Sequence, residues 1–128
     1  MNVTEKHLGK YDFVISTEVF EHILPPLQQA FDNLFRLVKS GGCLVFSVLY
    51  MRIEQTIEHY PGLHEFEILN FHGKKIIVNR DNEGHLSVYD NLVFHGGERA
   101  TLEMRVFCET DVLSRLAHSG FENIHVHD

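Results

Sequence analysis

Two runs of continuous apolar character, Asp12 to Ile15 within "YDFVIST" and residues 43 to 51, "CLVFSVLYM", flank a segment with helical spacing. No other feature limits the fold as strongly. In "LQQAFDNLFRLVKSGG" the apolar residues Leu27, Ala30, Phe31, Leu34, Leu37 and Val38 recur at steps of three and four, one broad face of a helix. Pro25-Pro26 closes the segment before it, and Lys39 with Gly41 supplies a C-terminal charge and a left-handed stop. Strand, helix, strand within about 40 residues is a βαβ unit with a parallel pair of strands, and strands apolar throughout suit a sheet covered on both faces.

The middle of the chain changes period. "FEILNF", "KKIIVN" and "HLSVYD" are short strand-like runs separated by His72-Gly73 and by Asp81-Asn82-Glu83-Gly84, so residues 66 to 90 read as an antiparallel meander. The loop "EHYPGLHE" precedes it and "FHGGE" comes after. In "TDVLSRLAHSGF" Val112, Leu113, Leu116 and Ala117 share a helical face, with Thr110 as cap and Gly120 as stop; "ENIHVHD" closes the chain as a strand.

Composition narrows the function. A chain of 128 residues with 44% apolar and 23% charged content suits one folded domain, and a formal charge of −7 disfavours nucleic acid and anionic lipid as partners. The N-terminus lacks an apolar signal core and no apolar run reaches the roughly 18 residues of a membrane span, so a cytoplasmic chain is expected. Cys43 and Cys108 offer neither CxxC spacing nor a disulfide framework and are expected as thiols.

Three blocks together resemble the C-terminal half of a class I S-adenosylmethionine-dependent methyltransferase. "YDFVISTEVFEHI" resembles that family's fourth strand and the Glu-x-apolar-Glu-His stretch after it. "LFRLVKSGGCLVFSV" resembles its helix, turn and fifth strand, with Ser40 where proline is usual. "LSRLAHSGFENIHV" resembles its later helix and strand. The resemblance covers about half the chain. It implies an α/β fold: a partial Rossmann-like methyltransferase sheet with an inserted antiparallel β-meander at about residues 52–106, within a single truncated domain spanning 1–128. The family's glycine-rich cofactor loop precedes the fourth strand, yet only ten residues precede Tyr11. A half-domain is therefore expected, whose open strand edge calls for a homo-oligomer or a complementing N-terminal half.

The resemblance also implies a site. Ligands of open α/β sheets bind beyond the carboxyl ends of strands, so Ser16, Thr17 and Glu18 are the candidates for S-adenosylmethionine; Thr17 as a helix cap and Glu18 as a solvated first-turn acid are the plainer alternative. Glu18, Glu21 and His22 fall on one side of a helix and suit a divalent ion such as Mg, Mn or Fe, completed by His59 or His64. Similar stretches hold a metal in some family members. His22, His64 and His95 are candidate bases or acceptor contacts, each weighed against a structural histidine. His125 and His127 share one face of the expected terminal strand, but with no CxxC or HExxH beside them they specify no zinc site. "HGG" at His95 has no GxSxG partner, which removes a hydrolase reading. The expected activity is methylation of a small-molecule or glycan hydroxyl; the alternative is a non-catalytic, self-associating interaction module of the same fold.

Overall fold

A computed structural model describes residues 3–96 and 101–127. Strand β1, Tyr11–Thr17, is followed by helix α1, Leu27–Leu37, and strand β2, Val38–Ser47. β1 and β2 run parallel, from Phe13 opposite Cys43 to Thr17 opposite Ser47. The βαβ reading is therefore correct. α1 ends earlier than Gly41, because Val38 has already turned to extended backbone. Gly41 and Gly42 instead form an irregularity at the start of the pair, between the Tyr11–Val38 and Phe13–Cys43 partners. Gly41 has φ +78°, and a Cβ on Gly42 would lie 2.8 Å from the Asp12 carbonyl and 2.9 Å from that of Lys39.

β3, Tyr50–Met51, and β4, Ile57–Glu58, are short. β5, Glu65–Phe71, β6, Lys74–Arg80, and β7, Leu86–Tyr89, form the antiparallel meander in the order β5-β6-β7. His72 and Gly73 turn the first hairpin with positive φ, as the sequence leads one to expect. β8, Phe94–His95, pairs with β9, Thr101–Leu102. β10, Arg105–Cys108, lies between β3 and β4, parallel to the first and antiparallel to the second. Helix α2, Glu109–Ser119, ends at Gly120 with φ +116°.

The strands form four small sheets among the described residues, a mixed α/β arrangement of the expected class. Two expectations need correction. Residues 122–127 form no strand, since alternation creates none without a neighbour to take its backbone bonds. Thr110 does not cap α2: Cys108 holds that position, and the Thr110 hydroxyl lies 2.8 Å from its sulfur. That contact pulls the Cys108 thiol below its ordinary pKa. Both cysteines are free thiols.

Two apolar cores result. In the first, Phe20, Leu27, Phe31 and Leu34 meet Phe107, Val112 and Leu116, with Val14, Leu44 and Phe46 of the strand pair packed against them. The Phe20 ring sits 4.6 Å from Phe31 and 5.0 Å from Phe46, centroid to centroid, in tilted and edge-on pairs that favour aromatic packing. Ser119 and Gln28 both bond the Asp32 carboxylate at 2.7 and 3.0 Å, tying α2 to α1 and holding that carboxyl below its ordinary pKa. In the second core, Tyr60, Leu63, Ile77, Leu102 and Met104 pack under the meander. Among the described residues no helix is long and apolar enough to cross a membrane.

Candidate functional site

The end of β1 leads into the polar segment singled out by sequence. Ser16 is buried, while Thr17 and Glu18 are exposed. The Glu18 N–H donates to the Ser47 carbonyl at 2.9 Å, so parallel pairing runs one residue past the strand. Glu18 then takes φ +50°, a left-handed conformation costing about 1–2 kcal/mol for a residue with a Cβ. The chain next makes one 3-10 turn, Phe20–His22, in place of a short helix capped by Thr17. Val19 occupies its N-cap position without a side-chain bond, so Thr17 caps nothing. Pro25 and Pro26 leave no room to extend it.

The kink at Glu18 decides which acid faces inward. Glu18 points to solvent, and Glu21 is 0% exposed. Glu21 Oε1 and Oε2 are both buried without a hydrogen-bond partner among the described residues, an uncommon condition for a buried polar group and a costly one for a carboxylate. His22 and His95 stand beside it, their rings 5.9 Å apart, and one ligand atom from each of Glu21, His22 and His95 lies within 4.8 Å of the others. His22 Nδ1 is 2.8 Å from the Leu102 carbonyl. A carbonyl only accepts, so Nδ1 carries the proton and Nε2 keeps its lone pair free for a metal or a proton.

The chain from Leu102 to Arg105 grips this turn from the other side. The Met104 N–H donates to the Glu21 carbonyl at 2.8 Å. Arg105, itself 0% exposed, donates from Nη1 to the Phe20 and Ile23 carbonyls at 2.8 and 2.6 Å and from Nε to Glu58 at 2.7 Å. Next to it, Glu103 is bonded to His59 Nε2 at 2.9 Å. Sequence reasoning missed Glu103 and Arg105. Their trace was available: two opposite charges inside the apolar stretch "LEMRVFC" have no obvious role on a surface.

The structure thus joins Glu21 and His22 with His95, and leaves Glu18 outside the group. His59 is engaged by Glu103. His64 is exposed on the loop before β5, its N–H donating to the Asn79 side chain at 2.9 Å, and it does not enter the group either. His125 and His127 are exposed.

A family model described as a methyltransferase domain matches residues 2–91. The chain belongs to this methyltransferase-domain family. Neither the curated proteins nor the solved structures contain a match to it. The matched stretch of the methyltransferase domain runs from before β1 to just past β7, so it includes Ser16 to Glu18, Glu21, His22 and His64, whereas His95 and Arg105 lie beyond it. Membership implies a cofactor of the S-adenosylmethionine type. At the carboxyl end of the parallel strand β1 the Ser16 and Thr17 hydroxyls can donate or accept hydrogen bonds and the Glu18 carboxylate can accept them. No glycine-rich loop suited to its nucleoside occurs within residues 1–128.

Proposed function

We propose that the chain carries the acceptor side of an S-adenosylmethionine-dependent O-methyltransferase, with a divalent cation held by Glu21, His22 and His95 and a small-molecule or glycan hydroxyl as acceptor. The observation that carries this reading is the buried Glu21 carboxylate, without a hydrogen-bond partner among the described residues, beside two imidazoles. A lone buried carboxylate is destabilising, and a cation offsets it. One carboxylate and two imidazoles suit Mn or Fe(II) better than Mg, which prefers oxygen ligands alone. A cation bound there supplies the Lewis acidity that lowers the pKa of an acceptor hydroxyl. His22 offers Nε2 in a fixed orientation, and exposed His95 forms the solvent side of the group, where an acceptor enters. Ser16, Thr17 and Glu18 orient the cofactor at the neighbouring strand end.

Calorimetric titration of the purified chain with Mn²⁺, and separately with S-adenosylmethionine, tests the proposal. Stoichiometric Mn²⁺ binding that disappears in Glu21→Gln and His95→Ala is expected. Unchanged Mn²⁺ affinity in both variants would sink the metal reading.

The bare face of the β1–β2 pair favours a second reading, a self-associating module. Phe13 and Ile15 are each 71% exposed and Val45 is 49% exposed. Tyr11, 43% exposed, continues the same apolar face, and a face of this kind is what a second copy would cover. Light scattering of wild type and Ile15→Lys distinguishes the possibilities. A dimer that dissociates in the variant supports a second copy as occupant. A monomer in both leaves the face to a complementing chain.

A further inference from the structure

We propose that Arg105 is a positioning residue for the Glu21–His22–His95 group, one that holds the ligand-bearing turn in shape without occupying its ligands; this rests on the reading of that group as a cation site. The need for such a residue arises from the turn itself. Phe20–His22 is three residues long, has no side-chain cap and closes with a long 3.4 Å bond from the Ile23 N–H to the Phe20 carbonyl. A single 3-10 turn lacks the cooperative bonds that stabilise a longer helix. Its shape must be imposed from outside.

Arg105 imposes it from a favourable place. One nitrogen, Nη1, donates to both the Phe20 and the Ile23 carbonyls, the two that bracket Glu21 and His22. It fixes the length of the turn between those points. The planar guanidinium is rigid, whereas a lysine ammonium at the end of a flexible stem cannot hold two separated carbonyls with the same geometry. Glu58, partly exposed on β4, takes the Nε–H at 2.7 Å and compensates the charge. The Glu21 carboxylate takes no bond from Arg105 or from any other described residue. Burying an arginine entirely is costly, and an apolar side chain fills core space without that penalty. The cost is explained by an orienting role, and its position fits: three residues earlier, the Leu102 carbonyl fixes the His22 tautomer.

The test uses the whole chain with three variants, Arg105→Met, Arg105→Lys and Glu58→Gln, and two measurements. The first is Mn²⁺ affinity, with the visible spectrum of the Co²⁺ form reporting ligand geometry. The second is ring ¹⁵N NMR of His22 in the metal-free protein, which reads the Nδ1–H tautomer whether or not a cation binds. We expect Arg105→Met to weaken Mn²⁺ binding about 10- to 100-fold, the range for residues that orient metal ligands, to alter the Co²⁺ spectrum, and to mix the His22 tautomers. Arg105→Lys should recover part of the loss, and Glu58→Gln should show a smaller change of the same kind. Should Arg105→Met not fold, the other two variants carry the test. Wild-type His22 shifts in every folded variant, with Mn²⁺ affinity and Co²⁺ spectrum also unchanged, would overturn the role of Arg105. Absence of Mn²⁺ binding by wild type overturns the cation reading alone, and the tautomer measurement then still decides whether Arg105 orients His22.

Discussion

The βαβ region and the meander solve the same problem differently. Both bury one face of a sheet, the first against aromatic rings of α1 and the 3-10 turn, the second against Tyr60, Leu63 and Met104. Their outer faces diverge. On the meander Glu65 lies opposite Arg80, Glu67 opposite Val78, and Lys74 reaches Asp90 at 3.8 Å, so charges interrupt the exposed Leu69, Leu86 and Val88. On the β1–β2 pair the outward residues Tyr11, Phe13, Ile15 and Val45 carry no charge. Antiparallel hairpins tolerate water on one face, and parallel strands rarely do. The charged residues that are buried, Glu21, Glu103 and Arg105, fall where the two cores meet. The proposed cation group lies on this seam, where side chains from both regions meet.

The largest test of this contrast is in the first core. Phe31→Ala removes a fully buried ring and should cost about 3–5 kcal/mol in urea unfolding; a loss near 1 kcal/mol would mean that the aromatic core is not the main support of its region. At the seam the sign reverses: Glu21→Met should stabilise the metal-free protein by about 1–4 kcal/mol, since it replaces an unpaired buried carboxylate with an apolar side chain of similar size, while ending Mn²⁺ binding. Destabilisation instead would show that Glu21 has a partner in solution. In the second region Asn79, which accepts the His64 N–H and donates to the Gly62 carbonyl at 3.0 Å, ties the loop to the meander. Asn79→Ala should cost about 1–3 kcal/mol, read by thermal melting.

Smaller effects probe the outer surface and the helix pair. If the outer face of β1 is free, Ile15→Lys should change stability by about 0.5 kcal/mol or less, whereas a larger, concentration-dependent loss means that a second copy covers it. The Asp32 carboxyl is held low by Ser119 and Gln28. Its contribution is therefore fully present above the unfolded pKa of about 4 and is lost as pH falls through the lower folded value. Urea melts at successive acid pH values should show a shallower loss of stability in Asp32→Asn than in wild type; parallel curves would remove Asp32 from the helix–helix contact.

Much of the architecture was legible because it is local. The step of three and four in Leu27, Phe31 and Leu34, the turn residues His72-Gly73, and the stop at Gly120 each act within a few residues, so α1, the meander and the end of α2 can be read from the sequence. The candidate site was legible only in part. Glu21 and His22 stood out as ligands and His95 only as a base or acceptor contact, while the helical spacing that grouped Glu18 with Glu21 and His22 assumed regular backbone, which the left-handed turn at Glu18 broke.

The sequence alone therefore dictates the βαβ unit, the meander and, through its resemblance and family match, the methyltransferase-domain membership. Tertiary packing is what turns Glu21 inward, brings His95 to it from 74 residues away, and sets Arg105 of β10 against the turn. Periodicity records which face of an element is buried. It carries no record of which distant strand lies against that face, and the seam between the two cores is built from such distant contacts.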